Sequence, residues 1–187
     1  GSEMCIRDRH NAVIKERRNG QGAEVAGVTV EGKVAYLSLV QLQAGVTWQK
    51  SHYTRPEKWS KDSSVPAEKR IFRTPDWYGY FTATYSPVKP LNIALSGTYT
   101  GSMIVQHMKG YIPKDMAVTT PDFFDMNLKI SYDFSLYKFI TLQLNAGVQN
   151  IFNAYQRDFD QGKERDSGYI YGPSMPRSYF AGAKLMF

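Results

Sequence analysis

The residue types best suited to metal chemistry surround His107, which has Met103 and Met108 close to it in the sequence. Imidazole and thioether groups bind soft metal ions and haem iron. If residues 91–106 form one strand, however, Met103 lies on its apolar face, because side chains alternate along a strand. The three groups would then not converge. We therefore predict no metal site and no cofactor here.

A second group of possible ligands lies near the end of the chain. Its carboxylates are Asp158, Asp160, Glu164 and Asp166. Carboxylate oxygens bind Ca²⁺, but only the stretch 158–162 faintly resembles a calcium loop. The neighbouring basic side chains are Arg157, Lys163 and Arg165. A solvated loop with local ion pairs is therefore the favoured interpretation.

Catalysis and nucleic-acid binding find little support in the sequence. His52 and His107 could serve Ser51 and Ser102 as bases, yet no spacing matches a nucleophile elbow or a metal-binding pair. The 23 Lys and Arg against 17 Asp and Glu give a formal net charge of +6. These basic residues are scattered, without a recognition helix or an RNA-binding motif. We predict neither an enzyme nor a nucleic-acid partner.

Strand-type alternation dominates the rest of the chain. In the last stretch, apolar side chains at Tyr179, Ala181, Ala183, Leu185 and Phe187 alternate with a largely polar set. Six further segments alternate in the same way, the first of them more weakly. They are residues 24–34, 39–50, 77–86, 91–106, 123–134 and 140–150. The sequence predicts an all-β antiparallel meander of about seven strands.

The connections between these strands alternate in length. Short turns are expected at 35–38, 87–90 and 135–138, and long polar loops at 51–75, 107–122 and 151–177. Transmembrane β-barrels have short turns on one rim and long loops on the other. No run of about 18 apolar residues is present, so a helical span is not predicted. Seven strands would leave open edges in lipid, so we expect a piece of a larger barrel.

Aromatic residues on the apolar faces fall into two belts. Near the long loops they are Trp48, Trp77, Phe124 and Tyr179, and near the short turns Tyr85, Tyr132, Phe134 and Phe187. Pairs on one strand lie 8–10 residues apart, or about 26–33 Å. Corrected for strand tilt, this approaches the apolar band of about 25 Å between the two aromatic girdles of an outer-membrane barrel. We predict that these residues are membrane girdles.

The first nine residues, GSEMCIRDR, differ from the rest of the chain. They resemble the translation of a sequencing adapter, with a natural, frayed terminus as the alternative. We predict that residues 1–9 are non-native and that residues 10–187 form the barrel portion. On that interpretation Cys5 carries no information about the redox compartment.

Two motifs resemble those of TonB-dependent outer-membrane receptors. The stretch 147–153, GVQNIFN, resembles the G-V-x-N-[LI]-F-[DN] signature of their penultimate strand. The stretch 176–182, PRSYFAG, resembles the P-R-[ST]-[YF]-x-x-G start of their terminal strand. Gly27 and Val28 are similar to a recurring G-V-E strand, although Thr29 stands where an acidic residue is usual.

The resemblance implies that this chain supplies the C-terminal seven or so strands of a 22-stranded barrel in the outer membrane of a Gram-negative bacterium. It implies partners beyond lipid: the energy-coupling protein TonB, contacted through a plug domain that would lie outside this chain, and a small-molecule ligand. Phe187 is similar to the terminal aromatic residue recognised by the barrel-assembly machinery. Simple girdle anchoring is the alternative role for Phe187.

The resemblance also implies active uptake of a scarce solute, with a ferric siderophore or a similar metal chelate preferred. The alternatives are an oligosaccharide or cobalamin receptor of the same family, or a passive porin. Candidate ligand contacts lie where polar faces meet the long loops. These residues are Arg73, Tyr78, Tyr80 and His107. A network within the rim, or contact with the plug, is the competing role for them.

Overall fold

The computed structural model describes residues 22–187 in full and the backbone of residues 2–7 and 13–18. Every regular element of this part of the chain is a strand. The strands are β1 (Ser2–Arg7), β2 (Val13–Arg18), β3 (Ala23–Tyr36), β4 (Val40–Glu57), β5 (Glu68–Arg70), β6 (Trp77–Val88), β7 (Leu91–Thr100), β8 (Ile104–His107), β9 (Met116–Thr119), β10 (Phe123–Tyr137), β11 (Ile140–Gln149) and β12 (Ser178–Met186). Within these ranges no helix has the length and apolar character to cross a membrane.

Seven strands form one antiparallel sheet in the order β3-β4-β6-β7-β10-β11-β12, and the short β5 pairs with β4. Strands β8 and β9 form a separate ladder, as do β1 and β2. Skipping the short strands, each main strand lies beside the next one in sequence. The prediction of an all-β antiparallel meander of about seven strands is confirmed. The proposed non-native segment 1–9 lies outside the residues whose side chains are described, and it stays a prediction.

The strand register aligns side chains of the same character on the same face of the sheet in neighbouring strands. Residues directly opposite one another in an antiparallel ladder share a face. One polar row runs Glu31, Gly45, Tyr80, Thr98 and Asp125. The adjacent apolar row runs Val30, Val46, Gly79, Tyr99 and Phe124. The alternation seen in single strands therefore becomes two continuous surfaces, one largely apolar and one largely polar.

The apolar surface has no second layer packed over it in the described structure. Val30 is 63% exposed, Trp77 50% and Leu144 44%. The buried apolar residues of the described chain lie outside this surface, in the long loops or at the start of β10. They are Met103, Ile104, Val105, Phe123 and Tyr169. Within the described residues, this face is therefore not buried as it would be in a β-sandwich.

The predicted strand 91–106 is wrong beyond Thr100. Gly101 still donates a backbone hydrogen bond to Trp77, but β6 begins at Trp77 and β10 begins only at Phe123. Pro121, just before β10, has no N–H to extend the ladder. The chain therefore leaves the sheet, and residues 104–107 pair instead with residues 116–119 as β8 and β9.

The other strand boundaries differ mainly by extension. β4 continues to Glu57, where residues 51–57 were predicted to be loop, and β10 continues to Tyr137. The weakly patterned first segment forms β3, a strand of 14 residues. Its pairing with β4 along its whole length explains this result, because a regular ladder compensates for weak local alternation.

Two glycines let aromatic rings lie directly on the sheet. A Cβ added at Gly147 would stand 2.4 Å from both the Leu128 carbonyl oxygen and the Phe180 ring. A Cβ at Gly97 would stand 2.2 Å from the Phe81 ring. In both pairs the ring belongs to the residue directly opposite. Such aromatic cover of a strand glycine helps to hold the register.

Candidate functional site

The three long connections pack together at one end of the sheet. We call residues 58–76, 101–122 and 150–177 the loop cap. Its apolar core is formed by Met103, the fully buried Val105 and Tyr169, with Val118 and Tyr171 packed against them. The prediction that Met103 lies on the outer apolar face is therefore wrong. Met103 follows the break after Thr100 and turns inward with β8.

Polar side chains connect the three parts of the loop cap. The Arg73 guanidinium donates to the backbone oxygen of Ile170 at 2.7 Å and to that of Gly168. The Ser60 hydroxyl donates to Asp115 at 2.5 Å, and Asp115 also accepts from the Lys109 amide at 2.7 Å. Each segment is therefore bonded to another. Because most partners are backbone groups, the bonds determine loop conformation as well as position.

His107 is part of this network. Its Nε2 lies 3.0 and 2.9 Å from the two Asp160 carboxylate oxygens, and the Asp160 side chain is only 2% exposed. The His107 ring stacks on Tyr169, with 3.7 Å between ring centroids and an angle of 7° between planes. Asp160 also accepts from the Asp166 amide at 2.9 Å. His107 therefore binds the second long loop to the third.

Asp158 binds two tyrosines of the same loop. The Tyr169 hydroxyl donates to it at 2.8 Å and the Tyr171 hydroxyl at 2.5 Å. Burial alone would raise the pKa of the Asp158 carboxyl, but these hydrogen bonds outweigh it and hold the pKa below its usual range. Burial and the Asp158 carboxylate raise the pKa of Tyr171 to about 12 and that of Tyr169 still further. At neutral pH the cluster is one carboxylate with two phenol donors.

The predicted ligand contacts divide into two pairs. Arg73 and His107 lie together in the loop cap, where both bind groups of the third long loop. Tyr78 and Tyr80 lie on the polar face of β6, and both are more than one third exposed. The Tyr80 hydroxyl donates to Glu31 and accepts from Gln43, each at 3.3 Å. A role for these four residues in ligand contact stays a prediction.

Several residues of the loop cap were not identified as a site from the sequence. The carboxylates at 158, 160 and 166 were expected to form local ion pairs. Instead Asp158 binds phenols, Asp160 binds His107, and Asp166 accepts from the Met108 amide at 2.8 Å. One sequence feature could have indicated this cluster: the run Tyr169-Ile170-Tyr171 lies within a polar loop. Large aromatic side chains in such a loop usually pack against other groups. Within residues 22–187, no three His, Cys, Asp or Glu side chains are arranged to hold a metal ion.

The predicted girdle residues lie on the apolar face or at its end, exposed to the surroundings. Trp48 and Trp77 contact each other at 6.4 Å between centroids near the loop cap, and Tyr132 and Phe134 at 4.6 Å near the short turns. The other members, Phe124, Tyr85, Tyr179 and Phe187, are also exposed. Their contact with lipid stays a prediction, as does the role of Phe187 in assembly.

Comparison with known proteins extends only to structure. No protein-family model matches the sequence, and no curated protein sequence matches it. Among solved structures, the chain is similar to the ferric-catecholate import receptor Fiu of Escherichia coli K12. The TM-score is 0.61 and the identity 20%, over 97% of this chain and 23% of that one.

A second similar structure is FpvAI in its complex with pyocin S2. The TM-score is 0.59 and the identity 15%, over 88% of this chain and 19% of that one. The chain therefore spans about a fifth to a quarter of the length of these structures. Its all-β meander matches the barrel portion of such receptors. At the level of the fold, this chain is similar to part of the β-barrel of these two proteins, in line with the resemblance of its sequence motifs.

Proposed function

We propose that this chain is the C-terminal portion of the 22-stranded barrel of an outer-membrane receptor that imports a scarce solute with energy from TonB. The observation that carries this proposal is the two-sided sheet. Its apolar face stays exposed over seven strands, and its polar face is continuous with a folded loop cap. An exposed apolar face suits lipid, and a polar face suits the interior of a barrel, which holds water in porins and a plug in 22-stranded transporters.

The preferred cargo is a ferric siderophore or a similar metal chelate. Support comes from the similarity in fold to Fiu, a ferric-catecholate import receptor. The stretches RTPDWYGY at residues 73–80 and YTGSM at residues 99–103 also resemble receptors for ferric chelates. Oligosaccharide or cobalamin receptors of the family share the same wall, so the cargo needs a direct test. A passive porin is the alternative outside the family.

The proposal includes several partners. Outer-membrane lipid would cover the apolar face, and TonB would act through a plug elsewhere in the full protein. The barrel-assembly machinery would recognise the terminal strand with Phe187. Ligand would enter beneath the loop cap, near Tyr78 and Tyr80. The exposed position of both tyrosines on the polar face supports this route.

TonB dependence is the decisive measurement. The full-length protein would be expressed in a deletion strain, with and without functional TonB, and supplied with a panel of ferric chelates. We expect outer-membrane fractionation, and growth on at least one chelate only when TonB is present. Growth that is independent of TonB would favour a porin. Unchanged growth on every chelate would contradict the iron assignment while leaving other cargo open.

A further inference from the structure

The part of the chain that follows Trp48 has an excess of basic residues. Residues 50–75 contain seven Lys and Arg against three Asp and Glu. The other two long connections are balanced, with two of each kind in residues 101–122 and four of each kind in residues 150–177. The positive charge at the loop end of the sheet is therefore concentrated beside β4, where it would attract an anionic partner.

Two of these basic side chains lie on the apolar face of the sheet, beyond the aromatic belt. Lys50 follows Trp48 by two residues on β4, so both side chains leave the same face. Arg70 of β5 lies opposite His52, the next residue of that face. Diagonal neighbours across a ladder are about 7–8 Å apart, so Lys50 and Arg70 can contact one group between them. We call these two residues the basic pair.

Two carboxylates close to the basic pair have donors of their own. Glu24 lies 3.3 Å from Nε2 of His52. Glu68 accepts from the backbone amides of the two residues that follow it, at 2.9 and 3.0 Å. Within residues 22–187, no carboxylate lies within ion-pair distance of either member of the basic pair. Both members are exposed, so they are available to an anion from outside this chain.

A groove lies on the same face, on the turn side of Trp48 and Trp77. Its volume is about 550 Å³. Small residues form its floor, and they are Gly32, Ala44, Gly79 and Gly97. Larger apolar side chains border it, with Val46 towards the loops and Leu42 towards the turns. These two lie four residues apart, about 13 Å along a strand, so the groove suits part of a narrow apolar chain.

The basic pair, the two tryptophans and the groove follow one another along the sheet. The Trp48 and Trp77 rings are 6.4 Å apart between centroids, and Lys50 lies two residues, about 7 Å, beyond Trp48. A molecule that fills the groove and reaches Lys50 needs an apolar chain with a negative group at its end. Lysine and arginine bind phosphate oxygens through charge-assisted hydrogen bonds. A soluble anion lacks the apolar chain, and a neutral lipid lacks the charge.

We propose that this surface binds one phosphorylated lipid of the outer leaflet. The basic pair would bind its phosphate, and the groove would hold one of its acyl chains. The inference deepens the proposed function and rests on it, because it requires the apolar face to lie in the membrane with the long loops outside. Bulk lipid contacts any apolar face, whereas this site selects a lipid by the charge of its headgroup.

Tryptophan quenching by brominated lipids tests the proposal in the full-length protein. Bromine on an acyl chain quenches a tryptophan that it contacts, and Trp48 and Trp77 lie beside the groove. The protein is reconstituted into phosphatidylcholine vesicles that contain either brominated phosphatidic acid or brominated phosphatidylcholine as a minor component. Comparison with the Trp48→Phe/Trp77→Phe variant isolates the quenching of these two rings. We expect brominated phosphatidic acid to quench them about fivefold more strongly.

The charge requirement is tested by Lys50→Gln combined with Arg70→Gln. This change should lower the ratio of the two quenching effects to about one, because the partners of the phosphate are lost. Lys33→Gln combined with Lys129→Gln is the matched control, since it removes the same charge from the polar face. The control should leave the ratio unchanged, and Lys50→Arg should also retain it. An equal reduction by both double substitutions would overturn the proposal, because net charge alone would then attract the lipid.

The groove is tested by Gly32→Leu. No described atom lies within 4 Å of a Cβ added at Gly32, so the leucine side chain enters the groove without displacing the sheet. We expect the quenching ratio to fall about fourfold, the effect of displacing one methylene of the acyl chain. An unchanged ratio would overturn the proposal, because the acyl chain would then lie elsewhere.

The same measurements separate this inference from the proposed function. Equal quenching by both brominated lipids would overturn the lipid site and leave the apolar face in the membrane. A complete absence of quenching of Trp48 and Trp77 would contradict the membrane position of this face, and with it both the proposed function and this inference. Loss of the preference on addition of inorganic phosphate would overturn the inference alone, because the basic pair would then bind soluble anions.

Discussion

The sheet and the loop cap of this chain are stabilised by different interactions. In the sheet, regular backbone ladders connect seven strands while large apolar side chains stay exposed. In the loop cap, apolar side chains are buried and side chains bind backbone groups. The sheet thus depends on its surroundings to cover one face, whereas the cap has a small core of its own. On the proposed function, substitutions on the apolar face should act through lipid, whereas substitutions in the cap should act through specific partners.

A charge placed on the outer face should have the largest effect. Leu95 lies on the apolar face opposite Ala83 and Leu128, near the middle of its strand. Leu95→Arg should lower the free energy of unfolding in lipid vesicles by about 2–4 kcal/mol, because the guanidinium enters hydrocarbon. Ser96→Arg, one residue away on the polar face, should cost within about 1 kcal/mol. Equal losses, measured by urea unfolding, would contradict the two-sided sheet.

The next effect tests close packing within the sheet. Gly147→Ala places a Cβ against the Leu128 carbonyl oxygen, which belongs to the backbone and cannot move cheaply. We expect a loss of about 1–3 kcal/mol in the same unfolding assay, typical of overpacking. Gly32→Ala is the control, because no described atom lies within 4 Å of its added Cβ. If Gly147→Ala leaves the free energy of unfolding unchanged, the strands can move apart to accommodate the added Cβ. That result would contradict close packing at this position.

Asp158→Asn probes the loop cap and should leave the sheet intact. The charged acceptor of two phenol hydrogen bonds is lost, at about 1 kcal/mol for a partly exposed group. Amide hydrogen exchange should therefore rise in residues 150–177 and stay unchanged in β10 and β11. Glu164→Gln, at an exposed position of the same loop, is the control. Equal exchange in β10 and in the loop would contradict the separation of cap and sheet.

The same cluster predicts a pH window for the cap. The folded pKa of Asp158 lies below its unfolded value, so this contribution is present above about pH 4 and is lost as pH falls through the folded pKa. Tyr171 has a raised pKa of about 12. Its contribution is therefore present below about pH 10 and is lost as pH rises towards 12. Amide hydrogen exchange in residues 150–177, measured as a function of pH, should show both limits. Asp158→Asn should remove the acidic limit.

The smallest effect is expected at Tyr80. Tyr80→Phe removes two hydrogen bonds of 3.3 Å from an exposed hydroxyl, so the stability change should be about 0.5 kcal/mol or less. Solute uptake by the full-length protein is the more sensitive readout. Uptake that falls with Tyr80→Phe while stability is retained would support ligand contact. Unchanged uptake in both Tyr80→Phe and Tyr78→Phe would favour a structural role for these residues, in a network within the rim.

Most strands of the sheet could be predicted from the sequence. The alternation of apolar and polar side chains along a strand reflects the different surroundings of its two faces. The segments beginning at residues 77, 123 and 140 match β6, β10 and β11 at their first residue. The short turns and the long polar loops were predicted at the positions where the alternation stops. The extension of β4 to Glu57 was not predictable, because it depends on where its partner strands end and not on its own pattern.

The candidate site was less predictable than the wall. Periodicity placed Tyr78 and Tyr80 correctly on the polar face, yet it also placed Met103 on the outer face, where it does not lie. Alternation indicates the face on which a residue lies only as long as the strand stays paired in the sheet. Strand β7 ends at Thr100, so the pattern no longer applies to Met103. His107 was noticed for its chemistry, but its pairing with Asp160 joins residues 53 positions apart. Local sequence contains no signal for such a contact.

The sequence by itself therefore determined that the strands have two unlike faces, because side-chain direction alternates with every residue whatever the strand packs against. The tertiary structure alone decided how the long loops fold over one end and which polar groups they bring together. These features arise from contacts between distant segments, whose positions depend on strand register and on the few close approaches that glycines permit.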